Sequence, residues 1–275
     1  MTPSALYPTV ARLVRFSLPA MLAGMTVPLM GLIDVAVLGR LGDAAVIAAV
    51  GVASTVFTTI AWTFSFLRFT TTGLVSQASG RGDEEGVVVE GLRPLTAALL
   101  GGAALLALRE PLLALGLALI APEPDVAAYA GDYFRVRTLG APLTLSLYAL
   151  QAWLMGTGRP RTLLATQAFM TAVNATLSAY LVLVRGQGIA GAATATVLAE
   201  LATVAVIAAV VLRHVPFARW RAGWSRVFEA AAWRRLLSAN ADLVVRTVLL
   251  SLSLALLNER SARLGTDVLA ANQLL

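Results

Sequence analysis

The sequence predicts an all-α fold, a polytopic transmembrane helix bundle, on three observations. Hydrophobic residues make up 58% of the 275 and charged residues 13%, against about 25% charged in a soluble domain; mean hydropathy is +0.79. Long apolar runs recur along the chain. At about 1.5 Å of rise per residue, a run of about twenty crosses the roughly 30 Å hydrocarbon core. The polar residues inside the runs recur at helical spacing, three and four apart.

The first run, FSLPAMLAGMTVPLMGLIDVAVLG, is expected to span from 16 to 38 and carries a single charge, Asp34. A carboxylate inside a span costs a few kcal/mol near the helix centre and is a functional-site hypothesis by default. Pro19 and Pro28 each remove a ladder hydrogen bond, so this helix is expected to bend. A bendable helix with one titratable group suggests a proton- or cation-coupled moving part. In a closed cavity such a group would load a proton from one side and release it to the other as the site hydrates. Asp34 stands four residues before Gly39, so an interfacial position is the open alternative.

The second span, 45–79, passes Arg68 at its expected inner mouth and is longer than a bilayer requires, so it should tilt or project. The third, 87–120, is interrupted by Arg109, Glu110 and Pro111. The fourth starts in the charged segment 129–137 and is apolar from 138 to 155. The fifth and sixth cover 163–184 and 189–212. A seventh, 236–257, contains Asp242 and Arg246 one turn apart, most simply an intrahelical ion pair. Three regions follow: a six-helix lobe at 1–212, a basic aromatic linker at 213–235, and the start of a second lobe at 236–275.

All 21 basic residues are Arg, and their placement orients the spans. With the N-terminus inside, inner connectors hold twelve of them and outer connectors five (Arg40, Arg109, Arg185, Arg260 and Arg263), as the positive-inside rule asks. The high pI therefore does not point to nucleic acid. In the linker, Trp220, Trp224, Phe228 and Trp233 interleave with Arg, which suits an interfacial segment on an anionic inner leaflet as well as a joint between lobes. The last residues, LGTDVLAANQLL, reach Leu275 just as a new apolar helix begins, so the sequence is expected to be incomplete. The basic start with Arg12 and Arg15 resembles a signal peptide, but the run is too long and more spans follow.

Polar residues sort into stripes. Gln167, Thr171, Asn174 and Ser178 share one face of the fifth span, Thr196, Glu200 and Thr203 one face of the sixth, and Ser54, Thr58 and Ser65 lie near one face of the second. Lipid cannot satisfy such groups, so these faces should turn to one another or to a wet cavity. The plainer alternative for Ser and Thr is a packing contact. Glu200 reads equally as a buried acid or a shielded hydrogen-bonder. With no Cys and a single His214 in a connector, thiol or His-based metal sites and His catalysis are not expected. There is no nucleophile elbow, Walker loop or dinucleotide fingerprint, so no enzyme and no organic cofactor are expected.

In order and at matching spacing, FSLPAMLAGMTVPLMGLIDVAVLGRLG, FLRFTTTGLVSQASGRGD, YFRVRTLGAPLTL, WLMGTGRPRTLL, GIAGAATATVLAE and LGTDVLAANQLL occur. Together they resemble the multidrug and toxic compound extrusion (MATE) transporters, in particular the DinF-like branch. The resemblance implies a bundle of two six-helix lobes, of which this chain carries the N-terminal lobe, helix seven and a stub of helix eight. The C-terminal lobe, or a second chain, would then be needed to complete the cavity. It implies a secondary antiporter of the inner membrane, N-terminus cytoplasmic, that exports small organic compounds against H⁺ or, less favoured, Na⁺. An Asp on the first helix is the coupling residue in that branch and matches Asp34; its helix bends at a proline matching Pro19. Asn174 and Thr196 match pocket residues of the fifth and sixth helices.

Where relatives carry a second Asp this chain has Ser178, which leans the reading toward H⁺, since Na⁺ benefits from charge. Glu200, one turn from Thr196, is a candidate substitute acid. Gln151, Gln167 and Thr171 are expected to line the substrate cavity. The alternatives are a flippase-like exporter of lipid-linked or amphiphilic substrates, for which Arg68 and Arg246 are the candidate cavity cations, and a non-functional half-transporter.

Overall fold

The computed structural model describes residues 3–234 and residue 249, and every described element is helical. The expected seventh span, with Asp242 and Arg246, lies outside the described residues. Helix α1 (Pro3–Gly39) runs unbroken through Pro19 and Pro28. Helices α2 (Ala44–Trp62) and α3 (Phe66–Gly80) form the second span, which turns at 63–65 where Thr63 Oγ1 donates to the Ile60 carbonyl at 2.6 Å. Asp43 caps α2, accepting from Ala45 N–H at 2.9 Å. Arg68 therefore sits in the first turn of α3, beyond the turn that divides the second span. The turn also breaks the expected stripe of the second span: Thr58 is exposed and Ser65 lies beyond the end of α2.

Proline chemistry sets the next breaks. Helix α4 (Glu84–Ala107) stops where the ring of Pro111 would strike the carbonyl four residues back, at Ala107, and α5 (Arg109–Ile120) resumes at a new angle in φ and ψ through Leu108. Helix α6 (Pro124–Leu139) ends at Gly140, two residues before Pro142, and α7 (Ala141–Gly156) follows directly. The charged segment 129–137 is thus well inside a helix. Helix α8 (Pro160–Ala179) opens on proline at its first turn and continues as a π-helical turn, Tyr180–Val184. Helix α9 (Gly188–His214) and the short α10 (Phe217–Val227) complete the described chain.

Five stretches among the described residues are long and apolar enough to cross a membrane: Leu13–Gly39, Ala44–Gly80, Glu84–Ala107, Pro160–Val184 and Gly188–His214. The expected fourth span, divided at Gly140 and carrying Asp132, Arg135 and Arg137, is the one that composition alone does not qualify.

Helix α1 packs on α8, α8 on α9, and α9 on both α6 and α7; α6 covers α2, while α7 packs on α3 and α4. Glycine makes the α4–α7 approach possible, because any side chain at Gly102 would run into the backbone of Pro142. Two apolar clusters form the core. One gathers Leu38, Val56, Phe57, Phe134, Leu145, Val182 and Ile189. The other gathers Ala23, Val75, Trp153, Leu163, Ile207, Val211 and Val227. Along α8 and α9 a belt of buried polar residues separates them, between Leu163 and Val182 on one helix and between Ile189 and Ile207 on the other.

Candidate functional site

The belt places the sequence-predicted residues together. Gln167, Thr171, Asn174 and Ser178 are all buried on the inward face of α8, and Thr196, Glu200 and Thr203 on that of α9. Helical spacing alone aligns each set, and the α8–α9 contact sets them face to face. Asp34 comes from α1 and is 6% exposed, enclosed by the helices around it.

Asn174 Nδ2 donates to Thr196 Oγ1 at 3.0 Å, and the Thr196 hydroxyl lies 3.5 Å from Asp34 Oδ2 and 3.2 Å from the Ala192 carbonyl. Ser178 and Asn174 also lie against the carboxylate, without closing a tight bond to it: Asp34 Oδ1, Asn174 Oδ1 and Ser178 Oγ are buried with no hydrogen-bond partner. A buried carboxylate ringed by oxygens with unused lone pairs is poorly solvated while it stays charged. A proton on Asp34 supplies the missing donor, and a small monovalent cation would be drawn to the same oxygens.

Gln151 and Gln167 meet one another, Nε2 to Oε1 at 3.3 Å, and Thr171 Oγ1 donates to the Gln167 carbonyl at 3.0 Å. These three form a neutral polar patch on α7 and α8, separate from the Asp34 contacts.

Glu200, one helical turn beyond Thr196, has partners of its own. Its carboxylate accepts from Arg137 Nη2 at 2.7 Å and Arg137 Nη1 at 3.1 Å, and from Thr144 Oγ1 at 2.9 Å. Both partners of this ion pair are almost fully buried, and the Arg137 guanidinium lies 4.2 Å over the Phe57 ring. The sequence reading missed Arg137. Its signal was the apolar flank on both sides, Val136 before it and Leu139, Ala141 and Leu143 after, which a solvated connector would lack. Arg93, expected in an inner connector, is also buried, at 4% exposure. It pairs with Glu90 at 3.0 Å and donates to the carbonyls of Arg226 at 3.1 Å and Val227 at 3.3 Å at the end of α10.

Known proteins share the sequence pattern and the helical fold. Residues 19–181 match the MatE family model. The chain is 33% identical over 265 residues to DNA damage-inducible protein F of Escherichia coli (strain K12), covering 95% of this chain and 57% of that protein. Among solved structures, a MOP superfamily transporter from Pyrococcus furiosus superposes with a TM-score of 0.79 at 20% identity over 94% of this chain and 57% of its own. A Vibrio cholerae MATE transporter in its bent form gives 0.78 at 21% identity over 96% and 59%. The chain thus spans a little over half the length of the relatives it matches. The structural matches show the helical fold, and the family match runs from Pro19 within α1, past Asp34, to the end of the belt on α8. The chain belongs to the MatE family of membrane transporters.

Proposed function

We infer that this chain carries the cation-coupling half of a secondary antiporter that exports small organic compounds in exchange for H⁺. One observation carries the reading: the buried Asp34 carboxylate faces Asn174, Ser178 and Thr196 across the α1–α8 and α1–α9 contacts. Protonation of Asp34 removes a buried charge and provides a donor for the unpartnered oxygens, so it tightens α1 against α8 and α9. Loss of the proton leaves a carboxylate that requires water, and α1 is the element able to admit it. Its residues Met21, Met25 and Leu32 are exposed, and Pro19 and Pro28 lower the cost of bending it. Proton binding and substrate binding thereby bias the same helix in opposite senses, which is what exchange requires. Gln151, Gln167 and Thr171 supply the neutral polar wall for the substrate, and a second lobe, from the same protein or another copy, would close the cavity. On this reading the protein lies in the inner membrane with its N-terminus in the cytoplasm, which the excess of Arg in the expected inner connectors supports.

A Na⁺-coupled exchange is the second reading, favoured by the unused Asn174 Oδ1 and Ser178 Oγ. The test is ethidium efflux from proteoliposomes containing the intact gene product. A pH gradient is expected to drive it in the wild type and not in Asp34→Asn, with a Na⁺ gradient at equal pH ineffective. Efflux driven by Na⁺ alone would replace H⁺ by Na⁺. Undiminished pH-driven efflux by Asp34→Asn would overturn the coupling role.

A further inference from the structure

The strongest unexplained feature of the bundle is the Arg137–Glu200 pair, because two charges buried within a membrane domain are costly to bring out of water. The surroundings are built for it. Thr144 bonds both Glu200 oxygens, at 2.9 and 3.0 Å, and lies 3.3 Å from Arg137 Nη2. Phe57 closes one face of the guanidinium. The α6–α7 break falls at Gly140, where a Cβ would stand 2.9 Å from both Arg137 Nη1 and Glu200 Oε2. The helix break thus leaves room for the pair.

The pair is also a neighbour of the coupling site. Glu200 follows Thr196, the residue that touches Asp34, by one helical turn, and Arg137 and Asp34 act on each other electrostatically. Among the described residues, the other ionisable groups that act electrostatically on this centre are Tyr133 on α6, which is influenced by Asp34, Arg137 and Glu200 and by the Ser54 hydroxyl, and Tyr148 on α7, influenced by Glu200, Arg137 and the half-buried Arg68 of α3. Helix α8, among the described residues, brings the neutral Asn174 and Ser178 to Asp34. Asp34 and Glu200 are the carboxylates of this centre among the described residues, and Arg137, bonded to Glu200, is its almost fully buried guanidinium.

We propose that Arg137, held by Glu200 and Thr144 beneath Gly140, is a positioning residue that tunes how readily Asp34 holds its proton. Glu200 neutralises Arg137 and does not itself carry the coupling ion. This rests on the proton-coupling reading above and adds to it a second element: Asp34 exchanges its proton only because Glu200 keeps Arg137 occupied.

The experiment compares the pH profile of ethidium efflux in proteoliposomes holding the intact gene product, with Glu200→Gln, Arg137→Gln and the double variant. With Glu200 neutral, Arg137 turns to Asp34 as its remaining buried counter-ion, and the profile moves to lower pH by about one unit or more. Arg137→Gln leaves the two acids without the guanidinium bonded to Glu200, and moves it to higher pH. The double variant leaves Asp34 alone with its neutral neighbours and returns toward the wild-type profile. A wild-type profile in either single variant, with only its thermal stability lowered, overturns the proposal. So does failure of both single variants to accumulate while the double variant behaves as wild type, since that assigns the pair to folding alone. Loss of coupling in Asp34→Asn alongside an unmoved Glu200→Gln profile sinks this inference and spares the coupling reading. Retained coupling in Asp34→Asn sinks the coupling reading first.

Discussion

At the scale of single residues, the structure divides the buried polar groups into three sets with different chemistry. Asp34 has hydroxyl and amide neighbours and unused acceptor capacity. Gln151 and Gln167 satisfy each other, and Glu200 is matched by Arg137. The close approach at Gly140 gives a direct test of the third set. Gly140→Ala inserts a methyl against Arg137, Glu200 and Val197, and is expected to cost about 1–3 kcal/mol, as overpacking does, read as a lowered melting temperature of the purified protein. An unchanged melting temperature would mean the pair relaxes freely. Asp34, Asn174 and Thr196 were legible in the sequence because polar side chains are scarce within apolar runs and helical spacing says which of them share a face. Arg137 was not. It belongs to a charged stretch with Asp132 and Arg135, and only the continuation of α6 to Leu139 carries it inside.

At the scale of elements, breaks were legible where proline enforces them and hidden where it does not. Pro111 announces the end of α4, whereas the turn at 63–65 within TFS has no glycine or proline, and a threonine-to-carbonyl bond three residues back, as at Thr63, also occurs inside the unbroken α1 and α8. The linker shows a similar gap. Its aromatic and Arg pattern suggests a membrane surface, and Trp224 and Phe228 do stack edge-on, exposed, at 5.8 Å. Yet Trp220 and Trp233 donate to carbonyls at the two ends of α10, Val215 and Val227. The helix is also bound to α4 through Arg219–Glu84 and Arg226–Glu85, and through Arg93 across its last carbonyls. The exposed ion pairs contribute little, so Arg93 is the main tie. Arg93→Ala removes donors to two carbonyls and leaves Glu90 without its partner. The expected loss is about 1–3 kcal/mol, read as faster tryptic cleavage within 213–235 at unchanged cleavage elsewhere. Equal cleavage rates would show that α10 is held by its apolar contacts with Val88 and Val89 instead.

At the scale of the whole molecule, α1 lies along α8 with a row of exposed apolar residues on its other side, Leu18, Met21, Leu22, Met25, Leu29 and Leu32. A helix attached along one face and carrying the buried acid is the natural moving part of an exchange cycle. Orientation in the membrane can be read with single cysteines, since the chain has none. An impermeant maleimide added to intact cells should label Gln187→Cys and not Ser79→Cys; the reverse pattern would place the N-terminus outside. The central claim is that Asp34 gives up its proton to admit substrate, and proton release on substrate addition tests it most directly. Adding ethidium to the detergent-purified intact gene product in weak buffer should release about one proton per protein bound, because linkage is reciprocal, and should release none in Asp34→Asn. Equal release by the two proteins would contradict the account.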